Sequence, residues 1–294
     1  MAWNQALDIH PAWLVIEAFA VNLPESYIAA MATMTPPPVW INLEYLSAET
    51  WVGGHHLLPS PHPKLSLTKY FFYPGFTQDT GGLIREHGLL AARRSFIRAS
   101  VENRLRVFVF GYPNAAVGNL VRTMAESTMP VTCTVAEGAL AAGMAAISGL
   151  EKRLIPGLLI ETIAFIPQQD FDQLLWKHDV LFVRGEDSFV RAQWAAKPFI
   201  WQIYPQSEGA HWVKLDAFLV LYCDGLESGA ASALRKLWRA WNDQDQTNIG
   251  AAWQAFISYQ PALQRHAEAW ARKLAQMPDL AANLLSFYQK TTKI

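Results

Sequence analysis

The sequence predicts an α/β fold of the doubly wound type, and three observations predict it. Short apolar runs rich in β-branched and aromatic residues alternate with helical patterns, the arrangement of parallel sheets covered on both faces. Five such strand–helix units follow one another in residues 105–203. After Tyr204 the pattern turns helical, with apolar stripes at i, i+3, i+4 and i+7 spacing.

In the first part of the chain, residues 13–19, 39–43 and 70–73 have strand character and are linked by segments rich in Pro and Gly. Residues 47–65 are expected to form a long exposed loop. That loop carries His55 and His56. Adjacent histidines point apart and no carboxylate lies at ligand spacing, so the pair is expected to be ordinary loop and not a metal site.

The second part is more regular. Strands are expected at 105–110, 131–135, 158–166, 180–183 and 199–203, with helices at 114–124, 138–149, 170–177 and 188–196 between them. The first of these strands is followed by Phe110-Gly111-Tyr112-Pro113-Asn114, with no G-x-G-x-x-G, so a nicotinamide dinucleotide fingerprint is absent and a dehydrogenase is disfavoured. Further on, Trp212, Leu215, Leu219 and Tyr222 form one helical stripe and Leu234, Leu237, Trp238 and Trp241 another. Pro261 is expected to open the next helix, with Leu263, Ala267, Trp270 and Leu274 on one face, and Pro278 to sit in the first turn of the last.

Composition narrows the classes of function. A chain of 294 residues, 51% hydrophobic, is long enough for two cores. A formal net charge of -1 gives no global field to draw in nucleic acid or anionic lipid. Cys133 and Cys223 are too few for a disulfide framework and show no C-x-x-C spacing, which favours a reducing compartment, the cytosol. The first 20 residues lack a basic flank ahead of an uninterrupted apolar run, unlike a signal peptide, and Gly, Pro or charge interrupts every candidate membrane span. The 12 tryptophans fall at helical spacings and are expected in the core.

Where chemistry can sit follows from strand ends. The buried run Val180-Leu181-Phe182-Val183 stops abruptly at Arg184-Gly185-Glu186-Asp187-Ser188 before a helix. Ligands of doubly wound sheets bind beyond the carboxyl ends of the strands, and Ser188 at a helix start offers a hydroxyl and free backbone N–H groups to a phosphate. Arg184 can pair with a diphosphate, and Glu186 can hold a cationic or hydroxylic acceptor. The competing reading is that Asp187 or Ser188 merely caps the helix while Glu186 favours its dipole. Phe110 and Tyr112 after the first strand, and Phe165 and Gln168 after the third, fit the same face. A flat ring there can stack on a nucleobase and an amide can pair with its edge, unless the rings only pack. Tyr204, after the fifth strand, is a further candidate of this sort. No G-x-S-x-G elbow or Ser, His and Asp arrangement suggests a hydrolase.

Specific strings add a family. Arg184-Gly185-Glu186-Asp187-Ser188-Phe189-Val190-Arg191-Ala192-Gln193-Trp194 strongly resembles the signature of the elongation factor P arginine rhamnosyltransferases, EarP. So do Val15-Ile16-Glu17-Ala18-Phe19-Ala20, Trp40-Ile41-Asn42-Leu43-Glu44-Tyr45-Leu46-Ser47-Ala48-Glu49, Phe72-Tyr73-Pro74-Gly75-Phe76-Thr77 and Thr80-Gly81-Gly82-Leu83, in the family's order. Lys197-Pro198-Phe199-Ile200-Trp201, Tyr204-Pro205-Gln206, His211 and Lys214-Leu215-Asp216-Ala217-Phe218 continue the match.

The resemblance implies a GT-B architecture, two Rossmann-like domains facing across a cleft. It implies inverting transfer of rhamnose from dTDP-β-L-rhamnose, with no metal or other cofactor, to an arginine of translation elongation factor P. Residues 1–98 would be a partial amino-terminal, acceptor-side domain, residues 99–275 the nucleotide-sugar domain, and residues 276–294 a helix crossing back to the first. By the same resemblance Phe110, Tyr112, Phe165, Gln168, Arg184, Asp187, Ser188 and Tyr204 would contact the donor and Glu186 would be a catalytic carboxylate. One departure is large. The family opens with an Asn-Phe-Gly-Asp-Ile-Gly type motif bearing an aspartate regarded as catalytic, and nothing here matches it, so the first domain is expected to be truncated and the chain to bind donor but transfer poorly. The alternative class is a module that binds a nucleotide-sugar or elongation factor P without turnover.

Overall fold

The computed structural model describes residues 10–19, 21–97, 103–148 and 157–292. Ala20, Gly149 and the position expected for the domain boundary at 98/99 lie outside the described residues. The chain divides into two compact units, one taking residues up to Arg85 together with those from Ala275 onward, the other Glu86–Leu274.

The first unit contains β1 (Leu14–Ala18), α1 (Glu25–Ala32), β2 (Val39–Leu43), α2 (Val52–His55), β3 (Pro59–Pro61) and β4 (Thr68–Phe72). The sheet order is β1-β2-β4-β3, parallel except for the β3–β4 pair. The expected exposed loop at 47–65 is corrected: it folds into α2 and the short edge strand β3. Pro59 and Pro61 are tolerated there because β3 lies at a sheet edge, where a missing N–H breaks no second ladder. His56 closes the segment by accepting the Tyr73 N–H at its Nδ1, 3.1 Å, and no group of three or more His, Cys, Asp or Glu among the described residues could hold a metal ion.

The second unit begins with α3 (Leu89–Ser95) and runs through β5 (Leu105–Val109), α4 (Val117–Ala125), β6 (Val131–Ala136), α5 (Ala139–Ser148), β7 (Leu158–Ile163), α6 (Gln168–Trp176), β8 (Val180–Arg184), α7 (Asp187–Ala195) and β9 (Phe199–Gln202). A single helical turn, Ser207–Gly209, leads into α8 (Ala210–Tyr222), α9 (Ser228–Asn242), α10 (Ile249–Ser258) and α11 (Gln260–Ala275). The sheet is wholly parallel in the order β7-β6-β5-β8-β9. Interior strand β8, between β5 and β9, shows why it reads as an uninterrupted apolar run: Val180, Leu181, Phe182 and Val183 are all fully buried. Phe182 meets Trp241 of α9 edge-on at 4.9 Å, and burying one such ring stabilises by about 1.5–3 kcal/mol. Cys133 on β6 is another filler of this core, its thiol pushed up to about 12 by burial.

Three further expectations change. The strand expected to reach residue 166 ends at Ile163, because the Phe165 N–H turns to the Glu137 carboxylate at 3.2 Å and Pro167 starts α6. Helix α10, with buried Ile249, Ala252, Trp253 and Phe256, was not anticipated. The last helix, α12 (Leu280–Thr292), starts after Pro278, and the Asp279 carboxylate accepts the Ala282 N–H at 2.9 Å. Leu280, Leu284, Phe287 and Tyr288 of α12 pack on Val39, Ile41 and Phe72 of the first sheet. The tryptophans are not uniformly core: Trp238, Trp241 and Trp253 are fully buried, whereas Trp13 and Trp51 are about half exposed and Trp212 lies under the Arg239 guanidinium at 4.9 Å. No helix among the described residues is long and apolar enough to cross a membrane.

Candidate functional site

In the second sheet β5 lies between β6 and β8, and the chain leaves β5 toward one side first and the other later. A sheet with that order has its crevice outside the carboxyl ends of the two strands where the order reverses. A cavity of about 380 Å³ sits there. Its lining includes Phe110 and Tyr112 from the end of β5, Phe165 and Gln168 from beyond β7, and Arg184, Glu186, Asp187 and Ser188 from the end of β8. The structure thus brings together eight of the nine residues singled out from sequence. Tyr204, the ninth, is not part of the lining, but its exposed ring meets that of Tyr112 edge-on at 5.6 Å.

Local backbone chemistry explains how these groups converge. Gly185 turns the chain out of β8 with φ +68°, a region open to Gly and strained for other residues. Its carbonyl accepts the Trp201 indole N–H at 2.8 Å, tying the turn to β9. Gly111 is needed for closeness: a Cβ there would lie 2.8 Å from Gln202 Oε1 and 2.9 Å from Leu140. Gln202 Oε1 accepts the Tyr112 N–H at 2.8 Å, which fixes Tyr112 at the cavity. Arg184 lies between two aromatic faces, its guanidinium carbon 4.5 Å from the Phe110 centroid and 4.6 Å from that of Tyr112. Such stacking holds a guanidinium by its faces and leaves its edge N–H groups for an anion. Arg184 Nε is buried without a hydrogen-bond partner.

The start of α7 differs from both sequence readings. Ser188 donates its hydroxyl to the Arg184 carbonyl, one turn back, so that proton is engaged within the protein. What the helix start still offers an anion is its first-turn N–H groups and the positive end of the dipole. The capping alternative is not seen either, since Glu186 occupies the position before the helix and no side chain caps it. Asp187 Oδ2 accepts from Gln168 Nε2 at 3.3 Å and pairs with Arg191 Nε at 3.0 Å. Phe165 is left 63% exposed beside the cavity, a flat face available for stacking.

Sequence reasoning missed the groups behind this surface. Arg191 is almost buried and meets three carboxylates: Asp187, Asp172 of α6 at 2.7 Å, and Glu86. Burial opposes its charge, but the bond to Glu86 and the charges of Asp172, Asp187 and Glu86 outweigh it and hold its pKa above the ordinary value. Burial pushes the Asp172 carboxyl up despite the Arg191 charge beside it. The i, i+4 spacing of Asp187 and Arg191 was a visible signal for one of these pairs.

Among solved structures, MurG of Acinetobacter baumannii, a GT-B glycosyltransferase, superposes with a TM-score of 0.50 at 12% identity over 94% of this chain and 73% of that one, a likeness of fold. The fold is therefore that of the GT-B glycosyltransferases. A family model described as Elongation-Factor P (EF-P) rhamnosyltransferase EarP matches residues 1–289. The protein-arginine rhamnosyltransferase of Pseudomonas putida is 45% identical over 99% of this chain and 81% of its own length, and that of Pseudomonas aeruginosa 40% over 98% and 81%. A solved structure described as the structural basis for EarP-mediated arginine glycosylation of translation elongation factor EF-P matches with a TM-score of 0.68 at 31% identity, over 95% of this chain and 98% of that one. The chain belongs to the EarP family of protein-arginine rhamnosyltransferases.

Proposed function

We propose that this protein transfers rhamnose from dTDP-β-L-rhamnose to an arginine of translation elongation factor P, with inversion and without a metal. The observation that carries the donor half is the convergence of stacking rings, a stacked arginine and a helix start at one switch-point cavity. The acceptor half rests on the relatives' names and on the arginine glycosylation attributed to EarP.

In this reading the nucleobase stacks at the aromatic rim formed by Phe165 with Phe110, Tyr112 and Tyr204 near it. Arg184 and the N–H groups of α7 receive the diphosphate, and they stabilise most strongly the charge that appears as the sugar C1–O bond breaks. The acceptor guanidinium is a poor nucleophile, since its lone pair is delocalised and its pKa exceeds about 12. It must be oriented and lose a proton as its nitrogen bonds to C1. Glu186 stands at the mouth of α7 to do this: its carboxylate holds the guanidinium by charge-assisted hydrogen bonds and accepts the proton, which passes on to water. The leaving dTDP departs with the electron pair of the broken bond.

The test is mass spectrometry of unmodified elongation factor P incubated with dTDP-β-L-rhamnose and the protein, beside a form carrying the family's aspartate motif ahead of residue 1. A deoxyhexose on one arginine with either form supports the reading. Saturable donor binding with no product from either form would replace it by a binding module.

A further inference from the structure

Arg191 uses all three of its nitrogens, each on a different carboxylate. Nε meets Asp187 of its own helix, Nη1 meets Asp172 of α6 and Nη2 meets Glu86 ahead of α3. Two of these contacts reach toward α6, which also carries Gln168. Asp172 is bound directly, and Asp187 in turn accepts from Gln168 Nε2 at 3.3 Å. Gln168 and Asp187 both line the cavity, whereas Arg191 stands behind it.

The chemistry of an amide makes this arrangement matter. A glutamine side chain offers an NH2 donor at one end and a carbonyl acceptor at the other, and which end faces a ligand is decided by what holds the first. A carboxylate paired with a guanidinium accepts and does not donate, so Asp187 can engage only the NH2 end. We propose that Arg191 is a positioning residue which, through Asp187, fixes the Gln168 amide so that its Oε1 is presented as the acceptor for a hydrogen-bond donor on the bound nucleoside. This rests on the reading of the cavity as the donor site. A pyrimidine imide N–H and a deoxyribose 3′-hydroxyl share the required donor chemistry. A cytosine, with an unprotonated ring nitrogen at the same place, would face the Gln168 oxygen with a lone pair.

Lysine retains the charge of Arg191 but has one ammonium in place of a three-sided fork, so it cannot hold Asp187, Asp172 and Glu86 together. The experiment is calorimetric titration of wild type, Arg191→Lys, Asp187→Asn, Gln168→Ala and the Arg191→Lys/Gln168→Ala double variant with dTDP, dCDP and 2′,3′-dideoxythymidine diphosphate, each variant first checked for a cooperative thermal transition. Loss of one oriented hydrogen bond predicts dTDP binding weaker by about three- to tenfold in Arg191→Lys and Asp187→Asn. The double variant should bind no more weakly than Gln168→Ala alone. The loss should vanish with dCDP if the partner is the imide, or with the dideoxy compound if it is the hydroxyl. Equal weakening of all three ligands, or additive effects in the double variant, would overturn the inference and leave Arg191 a purely structural residue. If wild type binds no dTDP, the donor-site reading itself falls, and this inference with it.

Discussion

The two sheets place their charge differently. In the first, Glu17 lies within β1, its side chain 1% exposed, bonded to Lys69 at 2.6 Å and to the Trp40 indole at 3.1 Å. Just beyond the carboxyl ends of β1 and β2 stand Glu44, which accepts from the Asn42 amide, and two exposed rings, Phe19 and Tyr45, stacked at 4.6 Å. In the second sheet β8 is apolar up to Arg184, and polar groups stand at and beyond its end, around a cavity. A carboxylate satisfied inside a sheet holds strands together, and one placed beyond a strand end can meet a ligand. By that criterion Glu17 is held within its sheet, whereas Glu186 stands beyond a strand end and lines the cavity.

The largest effect that would sharpen this contrast is Glu186→Gln, which keeps shape and removes the base. Transfer should fall by about 10²-fold or more while the donor dissociation constant barely moves, measured by product formation beside calorimetry. Glu17→Ala should do the opposite. Leaving Lys69 and the Trp40 N–H without their partner costs about 2 kcal/mol, so the first unit should melt earlier while donor binding by the second is kept, a pattern that denaturation followed with and without dTDP would show. A smaller change is expected of Gly111→Ala, whose new methyl must displace Gln202 from the Tyr112 N–H. Donor affinity should drop by about five- to tenfold, the scale of one hydrogen bond and a shifted ring.

The smallest effect concerns pH. Burial lowers the His56 pKa below its ordinary 6.5, and its Nδ1 must be unprotonated to accept the Tyr73 N–H. As pH falls below 6.5 the unfolded chain takes up the proton first. The His56 contribution is therefore fully present above that pH and is lost as pH falls through the folded value. His56→Gln should flatten the stability profile of the first unit between pH 7.5 and 5, read by chemical denaturation, by well under about 1 kcal/mol. An unchanged profile would mean that His56 is more solvated than its contacts imply.

Much of the second sheet was legible because parallel strands buried on both faces announce themselves as unbroken apolar runs, and Val180–Arg184 did so. The cavity lining was legible for the same reason, since the breaks in those runs mark the strand ends. What sequence could not show is the layer behind. Arg191 meets Glu86 105 residues away, and Arg184 reaches Gln202 only through the register of β8 with β9. Neither pairing leaves a local pattern. The bond of the Ser188 hydroxyl to a carbonyl one turn back was not legible, because a serine at a helix start can turn there as readily as to a ligand. Residues 47–65 were misjudged because three-residue strands and prolines carry almost no periodicity.

In the proposed reading the cavity at the ends of β5 and β8 binds a nucleotide-sugar through Arg184. Calorimetric titration of dTDP-β-L-rhamnose into wild type and Arg184→Ala, side by side, tests it most directly. One saturable site in wild type, weakened about tenfold or more in the variant, is the expected result; equal affinity of the two proteins would contradict the account and place the donor elsewhere.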